Sequence, residues 1–207
     1  MTDRIGLAAH HISCQRGGRT LFAGLSFALG PGEALLVSGP NGIGKTSLLR
    51  QLAGLLPLAA GRLNLTGAEP DAVIHELCHY IGHLNAAKAT LSVRENLAFW
   101  AEFLSGSRGE TAAALAAFGL TALADLPAGF LSAGQKRKLA LSRLFAAPRP
   151  IWLLDEPSVS LDTASLKLLD AAIADHLKAG GIAVVASHVA LKAKFTHRLP
   201  LGKEAVA

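Results

Sequence analysis

The stretch GPNGIGKT, residues 39–46, has the residue types and spacing of a phosphate-binding loop. It fits G-x-x-x-x-G-K-[ST], follows the apolar run EALLVS and precedes the apolar-periodic run SLLRQLAGLL. Glycines let backbone N–H groups converge on phosphate oxygens, and the following helix N-terminus adds a favourable dipole. We predict that Lys45 reaches the β- and γ-phosphates of a nucleotide and that Thr46 is a ligand of Mg²⁺. The predicted nucleotide-binding residues of this stretch are Gly39, Pro40, Asn41, Gly42, Ile43, Gly44, Lys45, Thr46 and Ser47.

Two carboxylates follow a second apolar run, IWLLDEP, at residues 151–157. Ligands of parallel sheets bind at the carboxyl ends of the strands, so we expect Asp155 beside the phosphate loop. There it can orient Mg²⁺ through the ion's water shell, and Glu156 can take a proton from an attacking water. An Asp-Glu pair often only starts a solvated turn, but together with the loop it predicts nucleotide hydrolysis.

His188 stands at the end of a third apolar run, IAVVAS. A lone histidine at a strand end is commonly a surface residue. Here the position repeats that of Asp155, so we interpret His188 as a catalytic residue that contacts the γ-phosphate.

The stretch LSAGQKRKLALSRL, residues 131–144, is a second glycine-hinged helix start. Ser132 and Gln135 have capping-box spacing, so Ser132 is predicted to cap a helix that ends before Pro148. The N–H groups of Ser132, Ala133 and Gly134 then form an anion site at the positive end of the helix dipole.

This second anion site has no lysine placed to hold a phosphate, and one nucleotide is already held at Lys45. We therefore predict that it caps the nucleotide of a second subunit. The basic run Lys136, Arg137 and Lys138 is expected to face solvent.

The elements that must position these residues alternate between helix and strand. SAGQKRKLALSRLFAA and TASLKLLDAAIADHLKAGG have the length of crossover helices between IWLLD and IAVVAS, which predicts a parallel sheet. RTLFAGLSFAL and GRLNLTG indicate strands near the N-terminus. TLSVRENLAFWAEFLSG and ETAAALAAFGL indicate helices, and Ser92 and Glu95 have capping-box spacing at the start of the first. We predict an α/β core, a few N-terminal antiparallel strands and a helical insert around residues 86–130.

Composition limits the remaining possibilities. The chain has 207 residues, of which 51% are hydrophobic and 17% charged, and this excludes a disordered chain. No apolar run approaches the roughly 18 residues of a membrane span, and the N-terminus has no apolar core like a signal peptide. With only two cysteines we expect a cytoplasmic protein in a reducing compartment. The net charge of +5 could suit an anionic membrane surface or nucleic acid, or be ordinary surface charge.

In the phosphate loop, the second glycine-hinged helix start and the strand ends described above, the chain resembles the ATP-binding cassette (ABC) ATPases. Residues 39–46 match Walker A, LSAGQ matches the LSGGQ signature with Ala133 for the first glycine, and residues 151–156 match Walker B and the base. SLD at 160–162 matches the D-loop, and His188 matches the switch histidine.

The resemblance covers essentially residues 1–207 and implies one domain with a RecA-like parallel-sheet core. It implies ATP and Mg²⁺ as cofactors. It further implies a homodimer in which two cassettes pair head to tail, each signature facing the other's phosphate loop. The cross-subunit contacts that it assigns are Ser132, Ala133, Gly134, Gln135 and, at the dimer seam, Asp162.

A narrower resemblance is to the CcmA family, the ATP-binding subunits of the haem exporter in bacterial cytochrome c maturation. It rests on RTLFAGLSFALGPGE, YIGHLNAAKATLSVRENLAFW, LSAGQKRKLALSRL and LDEPSVSLD. It implies haem export or release of a haem-loaded chaperone. It also implies integral CcmB- and CcmC-like partner subunits, no nucleic acid, and a peripheral place on the cytoplasmic face of the inner membrane. A transporter for another substrate, or a non-transport ABC protein, remains an alternative.

Two positions depart from the ABC pattern. The usual Gln where strand meets helical insert falls at about Leu84, between His83 and Asn85, either of which could compensate. The usual aromatic residue that stacks on adenine falls near Arg16, whose guanidinium plane could stack instead.

His75, His79 and His83 recur at a spacing of four. Such a spacing could line one face of a helix and form a metal or haem site. The alternative is that CHYIGHL is a strand entering the nucleotide site.

Overall fold

The computed structural model describes residues 5–105, 111–188 and 191–202. In chain order its elements are β1 (Gly6–Arg16), β2 (Arg19–Leu29), β3 (Ala34–Ser38), α1 (Lys45–Leu52), β4 (Ala60–Thr66), α2 (Ile74–Leu77), β5 (Cys78–Ile81), α3 (Val93–Ser105), α4 (Thr111–Ala117), α5 (Ala133–Ala146), β6 (Ile151–Asp155), α6 (Thr163–Lys178), β7 (Ile182–Ala186) and β8 (His197–Pro200).

The larger sheet is parallel, in the order β5-β6-β7-β3-β8, and it confirms the predicted α/β core. Every residue of β6 and β7 is buried, because helices cover both faces of the sheet. Alternate residues point to opposite faces. Leu153 packs with α1 in one apolar cluster, and Leu154 packs with α5 and α6 in another.

The smaller sheet is antiparallel, in the order β2-β1-β4, which confirms the predicted N-terminal strands. Leu7, Ile12, Phe22 and Leu29 are at most 2% exposed and belong to the cluster that includes α1. This sheet therefore packs against α1, the helix that begins at the end of the phosphate loop.

Helices α3, α4 and α5 share an apolar cluster of their own, which includes Val93, Leu97, Leu115 and Leu139. These helices cover the range of the predicted insert and extend beyond it into α5. The N-terminus of α3 has the predicted capping box, since Glu95 N–H donates to Ser92 Oγ and Ser92 N–H donates to Glu95 Oε2. No helix of the described residues is long and apolar enough to cross a bilayer.

The three histidines spaced by four lie on different elements. His75 is exposed on α2, His79 is buried on β5, and His83 follows β5 at the edge of the sheet. His79 Nε2 contacts the Ala147 carbonyl. Over residues 5–105, 111–188 and 191–202 no group of three or more His, Cys, Asp or Glu side chains could hold a metal. Because Cys78–Ile81 form β5, the strand interpretation is correct for this part of CHYIGHL.

Burial makes His79 a pH-dependent element of stability. It lowers the pKa of His79 from 6.5 to about 3, while the hydrogen bond to Ala147 opposes the shift. Burial also lowers the pKa of His176, which stacks on Trp152 with ring centroids 3.9 Å apart. Unfolded His79 takes up a proton near pH 6.5 but folded His79 does not, so stability falls as the pH falls through this window.

We expect His79→Gln to weaken this pH dependence, because an amide can still donate to the Ala147 carbonyl but does not titrate. Between about pH 7 and pH 5, the loss of unfolding free energy should be smaller than in wild type by about 2 kcal/mol. Urea unfolding at both pH values measures this, with His10→Gln on β1 as the control. Equal losses in His79→Gln and wild type would contradict the assignment.

Candidate nucleotide-binding site

A pocket of about 390 Å³ lies at the carboxyl-end edge of the parallel sheet. It brings together residues from the phosphate loop, from the ends of β6 and β7, and from the segment after β5. Its lining residues are Leu21, Asn41, Gly42, Gly44, Lys45, Thr46, Ser47, His83, Asp155, Glu156, Val159 and His188.

The phosphate loop depends on two glycines. Gly39 has φ 138°, and a Cβ there would lie 2.4 Å from the Leu201 carbonyl oxygen; Gly44 has φ 118° and caps α1. The first N–H groups of α1 have no partner within the helix and are available to an anion. Lys45 Nζ donates to the carbonyls of Gly39 at 2.7 Å and Pro40 at 3.2 Å. Its positive charge therefore lies inside the loop, where phosphate oxygens would bind.

Thr46 and Asp155 form the part of the pocket that fits Mg²⁺. Thr46 Oγ1 donates to Asp155 Oδ2 at 2.8 Å, and Asp155 is only 1% exposed. Mg²⁺ prefers oxygen ligands and is commonly held by one or two protein oxygens, waters and the substrate's phosphates. A hydroxyl and a carboxylate in direct contact, beside a phosphate loop, meet that requirement.

Glu156 and His188 form a hydrogen-bonded pair. Glu156 Oε2 lies 2.8 Å from His188 Nδ1 and also accepts from the His188 N–H at 3.3 Å. Glu156 has φ 48°, an uncommon conformation for a non-glycine residue, and its N–H donates to the Ala186 carbonyl at 2.8 Å. The bend after β6 thus turns the carboxylate toward the end of β7.

The signature helix begins as the sequence predicts. Gln135 N–H donates to Ser132 Oγ at 3.2 Å, and Ser132 N–H donates to Gln135 Oε1 at 2.8 Å. Gly134 approaches the D-loop so closely that a Cβ would lie 2.7 Å from the Ser160 carbonyl oxygen. Residues 132–135 do not line the pocket that contains Lys45, although Ala133 borders a smaller adjoining cleft.

Asp162 caps α6, and its Oδ1 accepts from the Ser165 N–H at 2.7 Å and the Ser165 hydroxyl at 2.6 Å. These bonds, with a contact from Lys138 at 3.3 Å, lower the pKa of Asp162 to about 2. The structure therefore shows a structural task for Asp162, and its place at a dimer seam stays a prediction.

The position of Arg137 contradicts one prediction made from the sequence. We predicted that Lys136, Arg137 and Lys138 face solvent, but Arg137 is only 3% exposed. Burial lowers the pKa of its guanidinium, while the charges of Asp155 and Glu156 oppose the shift. Arg137 shares a helix face with Leu141 and Leu144, at intervals of four and seven residues, and both leucines are buried. This helical spacing is the feature of the sequence that indicates burial of Arg137, and the charged lysines on either side obscure it.

The segment after β5 places its side chains unevenly. His83 lines the pocket, Leu84 is 79% exposed, and Asn85 Oδ1 accepts from Arg137 Nη1 at 3.3 Å. Of the two neighbours that could take the role of the usual glutamine, His83 is therefore the one that lines the nucleotide pocket.

Leu21 of β2 lines the pocket, whereas Arg16 is exposed at the end of β1 and is absent from the pocket lining. Stacking of Arg16 on adenine stays a prediction.

A phosphate loop at a helix N-terminus, with a Thr–Asp contact and a Glu–His pair at neighbouring strand ends, defines a P-loop nucleotide-binding protein. A family model described as "ABC transporter" matches residues 22–159. The chain belongs to this ABC transporter family of ATP-binding cassettes, and its enzymatic class is that of ABC ATPases.

Similar curated proteins are named "Cytochrome c biogenesis ATP-binding export protein CcmA". The protein from Chelativorans sp. (strain BNC1) is 49% identical over 199 residues, which are 95% of this chain and 98% of that protein. The protein from Rhodospirillum rubrum is 53% identical over 185 residues, or 87% of this chain and 79% of that protein.

Solved structures show the same fold. A putative ABC transporter ATP-binding protein from Pyrococcus furiosus matches with a TM-score of 0.81 at 24% identity, covering 95% of this chain and 97% of that one. A bacterial Atm1-family ABC exporter with ATP bound also matches at 0.81, with 20% identity and coverage of 98% of this chain and 38% of that one.

We expect His83→Ala to lower the turnover number for ATP by about tenfold or more, because a ring nitrogen beside the γ-phosphate would no longer hold the attacking water. Leu84→Ala is the matched control and should stay within about twofold of wild type, since that side chain points to solvent. Phosphate release from the purified variants measures both. An unchanged turnover number in His83→Ala would show that His83 does not hold the attacking water.

Proposed function

We propose that this chain is the ATP-hydrolysing subunit of a membrane ABC transporter complex in cytochrome c-type biogenesis. In that complex, ATP hydrolysis would drive haem export or the release of a haem-loaded chaperone. The convergence of Lys45, Thr46, Asp155, Glu156 and His188 on one pocket carries the hydrolytic part of the proposal. Identity near 50% with CcmA proteins, over most of both chains, supports the biological role.

The chemistry follows from the positions of these groups. Lys45 and the N–H groups of the loop bind the β- and γ-phosphates and reduce the repulsion that opposes the attack of water. Thr46 and Asp155 would hold Mg²⁺, which would supply positive charge to offset the negative charge that develops on the phosphates. Glu156 accepts the proton of the attacking water, and His188 holds the Glu156 carboxylate in place from the end of β7.

A second copy of the chain completes the site. The capped N-terminus of α5 does not line the pocket of its own chain, yet its positive dipole end suits a phosphate group. A head-to-tail homodimer places Ser132, Ala133, Gly134 and Gln135 against the nucleotide that the partner's loop holds, and Asp162 near the seam.

We expect Glu156→Gln to abolish hydrolysis while ATP still binds, since the amide cannot act as a base but leaves the phosphate loop intact. ATP with Mg²⁺ should then trap a dimer, detected by size-exclusion chromatography with light scattering. Adding Lys45→Ala to this variant is the control, because without the ammonium the nucleotide is not held and the chain should stay monomeric. A Glu156→Gln protein that binds ATP but remains monomeric at high concentration would contradict the cross-subunit site.

The membrane contact is proposed to run through partner subunits. The surface near residues 84–104 exposes three large apolar side chains: Leu84 at 79%, Phe99 at 55% and Phe103 at 69%. Phe99 and Phe103 stack with centroids 6.0 Å apart, which makes one continuous apolar surface. We propose that a helix of a CcmB- or CcmC-like integral subunit binds here and holds the chain at the cytoplasmic face of the inner membrane.

We expect Phe103→Ser to weaken recruitment by co-expressed membrane subunits by roughly 30-fold, since a central aromatic contact is commonly worth about 2 kcal/mol. Leu55→Ser is the control, because Leu55 is also exposed, at 60%, but follows α1 and lies outside residues 84–104. Membrane flotation measures recruitment, and the ATPase activity of the purified variant should match wild type. Equal recruitment of the two variants and wild type would exclude this surface.

A further inference from the structure

One buried guanidinium lies behind the nucleotide pocket, and two segments of the site converge on it. Arg137 Nη2 donates to the carbonyls of Asp155 at 2.8 Å and Glu156 at 2.9 Å, and Nε donates to the carbonyl of Pro157 at 3.2 Å. On its other side Nη1 donates to the Gly82 carbonyl at 2.7 Å and to Asn85 Oδ1 at 3.3 Å. Five acceptors thus surround one planar group.

None of these five acceptors is a carboxylate oxygen. Four are backbone carbonyls and one is a side-chain amide, so the cation is held by dipoles that belong to the polypeptide's path. A guanidinium presents five donors in a rigid plane, whereas the three donors of an ammonium all start from one nitrogen and have no fixed plane. The bonds therefore fix the geometry of both segments as well as solvating a charge.

The first segment carries the proposed base. Glu156 has φ 48°, a strained conformation for a non-glycine residue, and Arg137 binds the carbonyls of three successive residues, 155–157. The contacts begin before the bend and end after it. They hold the backbone in the turn that directs the Glu156 carboxylate toward His188.

The second segment carries His83. Arg137 contacts Gly82 and Asn85, which stand on either side of His83 and Leu84. With both ends of the loop fixed, His83 lines the pocket and Leu84 points to solvent. The same guanidinium therefore sets the position of two polar side chains on different walls of the pocket.

We propose that Arg137 is a positioning residue for ATP hydrolysis, which fixes Glu156 and His83 relative to each other through their backbones. It also joins both to the N-terminal turn of α5, because Arg137 lies two residues after Gln135 of the signature. Docking of that turn on a second nucleotide then acts on the base and on the loop together. This inference rests on the proposed ATPase function.

The test distinguishes three effects of substituting Arg137: loss of the planar guanidinium geometry, loss of the positive charge and loss of stability. Arg137→Lys keeps the charge, and Arg137→Gln keeps two donors without it. Arg143→Lys is the matched control on the same helix. Arg143 is also buried, at 5% exposed, but its Nε donates to the Ala140 carbonyl and its guanidinium packs 4.4 Å from the Trp100 ring centroid.

For both Arg137 variants we expect the turnover number to fall by about tenfold to a hundredfold, as for a catalytic group displaced by about 1 Å. Their affinity for ATP, measured by calorimetry, should stay within about threefold of wild type, because the described hydrogen bonds of Arg137 go to residues 82–85 and 155–157 rather than to the phosphate loop. Arg143→Lys should keep the wild-type turnover number. All rates are taken well below the lowest melting temperature, so that a loss of stability is measured separately from a loss of catalysis.

An Arg137→Lys protein that turns over ATP as fast as Arg143→Lys would overturn the inference. So would a loss confined to ATP affinity, or a drop in turnover that follows the melting temperature equally in all three variants. Those results leave wild-type hydrolysis intact and concern Arg137 alone. A wild-type chain without ATPase activity would instead contradict the proposed function itself, and this inference with it.

Discussion

The site depends on the register of the parallel sheet. Val37 of β3 pairs with Ala186 of β7, and Ala186 pairs with Asp155 of β6, so three strands end on one line. Segments distant in sequence therefore begin at the same edge: the phosphate loop after β3, Glu156 after β6 and His188 after β7. The register is fixed by strands that are apolar on both faces, because any shift would move residues out of two cores at once. The geometry of the chemistry is thus set by burial several residues away from it.

Sequence reasoning was most reliable where a local pattern has a local physical cause. The phosphate loop, the buried strands before Asp155 and His188, and the caps of α3 and α5 all depend on residues within a few positions of each other. The spacing of Arg137 from Leu141 and Leu144 indicates its burial, but its neutral acceptors come from residues 82–85 and 155–157, which no spacing in the chain reveals. The choice among His83, Leu84 and Asn85 likewise depends on that distant guanidinium. Local pattern identified the site, while long-range hydrogen bonds decide which side chains enter it.

Three arginines are buried or half-buried between elements: Arg137 and Arg149 join the helical layer to the sheet, and Arg143 packs α5 against Trp100 of α3. Burial lowers the pKa of each, that of Arg143 to about 10. Arg149 donates to the carbonyls of Cys78 at 3.0 Å and Leu104 at 2.7 Å, so it ties β5 to α3. Apolar side chains in these places would also bury surface, but they would tolerate sliding. Directional bonds to specified carbonyls hold the two layers in one orientation, although a buried charge is costly unless its hydrogen bonds are made.

These contacts make α5 the mechanical connection between the exposed aromatic surface and the nucleotide pocket. Phe99 and Phe103 contact Trp100, Trp100 donates to the Ala86 carbonyl, and the Trp100 ring packs on Arg143 of α5. Six residues earlier on the same helix, about 9 Å along its axis, Arg137 holds the backbone of Glu156. An α-helix bends little over two turns, so the Trp100 contact and the Arg137 contacts lie on one rigid element. The proposed partner surface on α3 and the proposed catalytic base are therefore joined by one chain of contacts through α5, outside the phosphate loop.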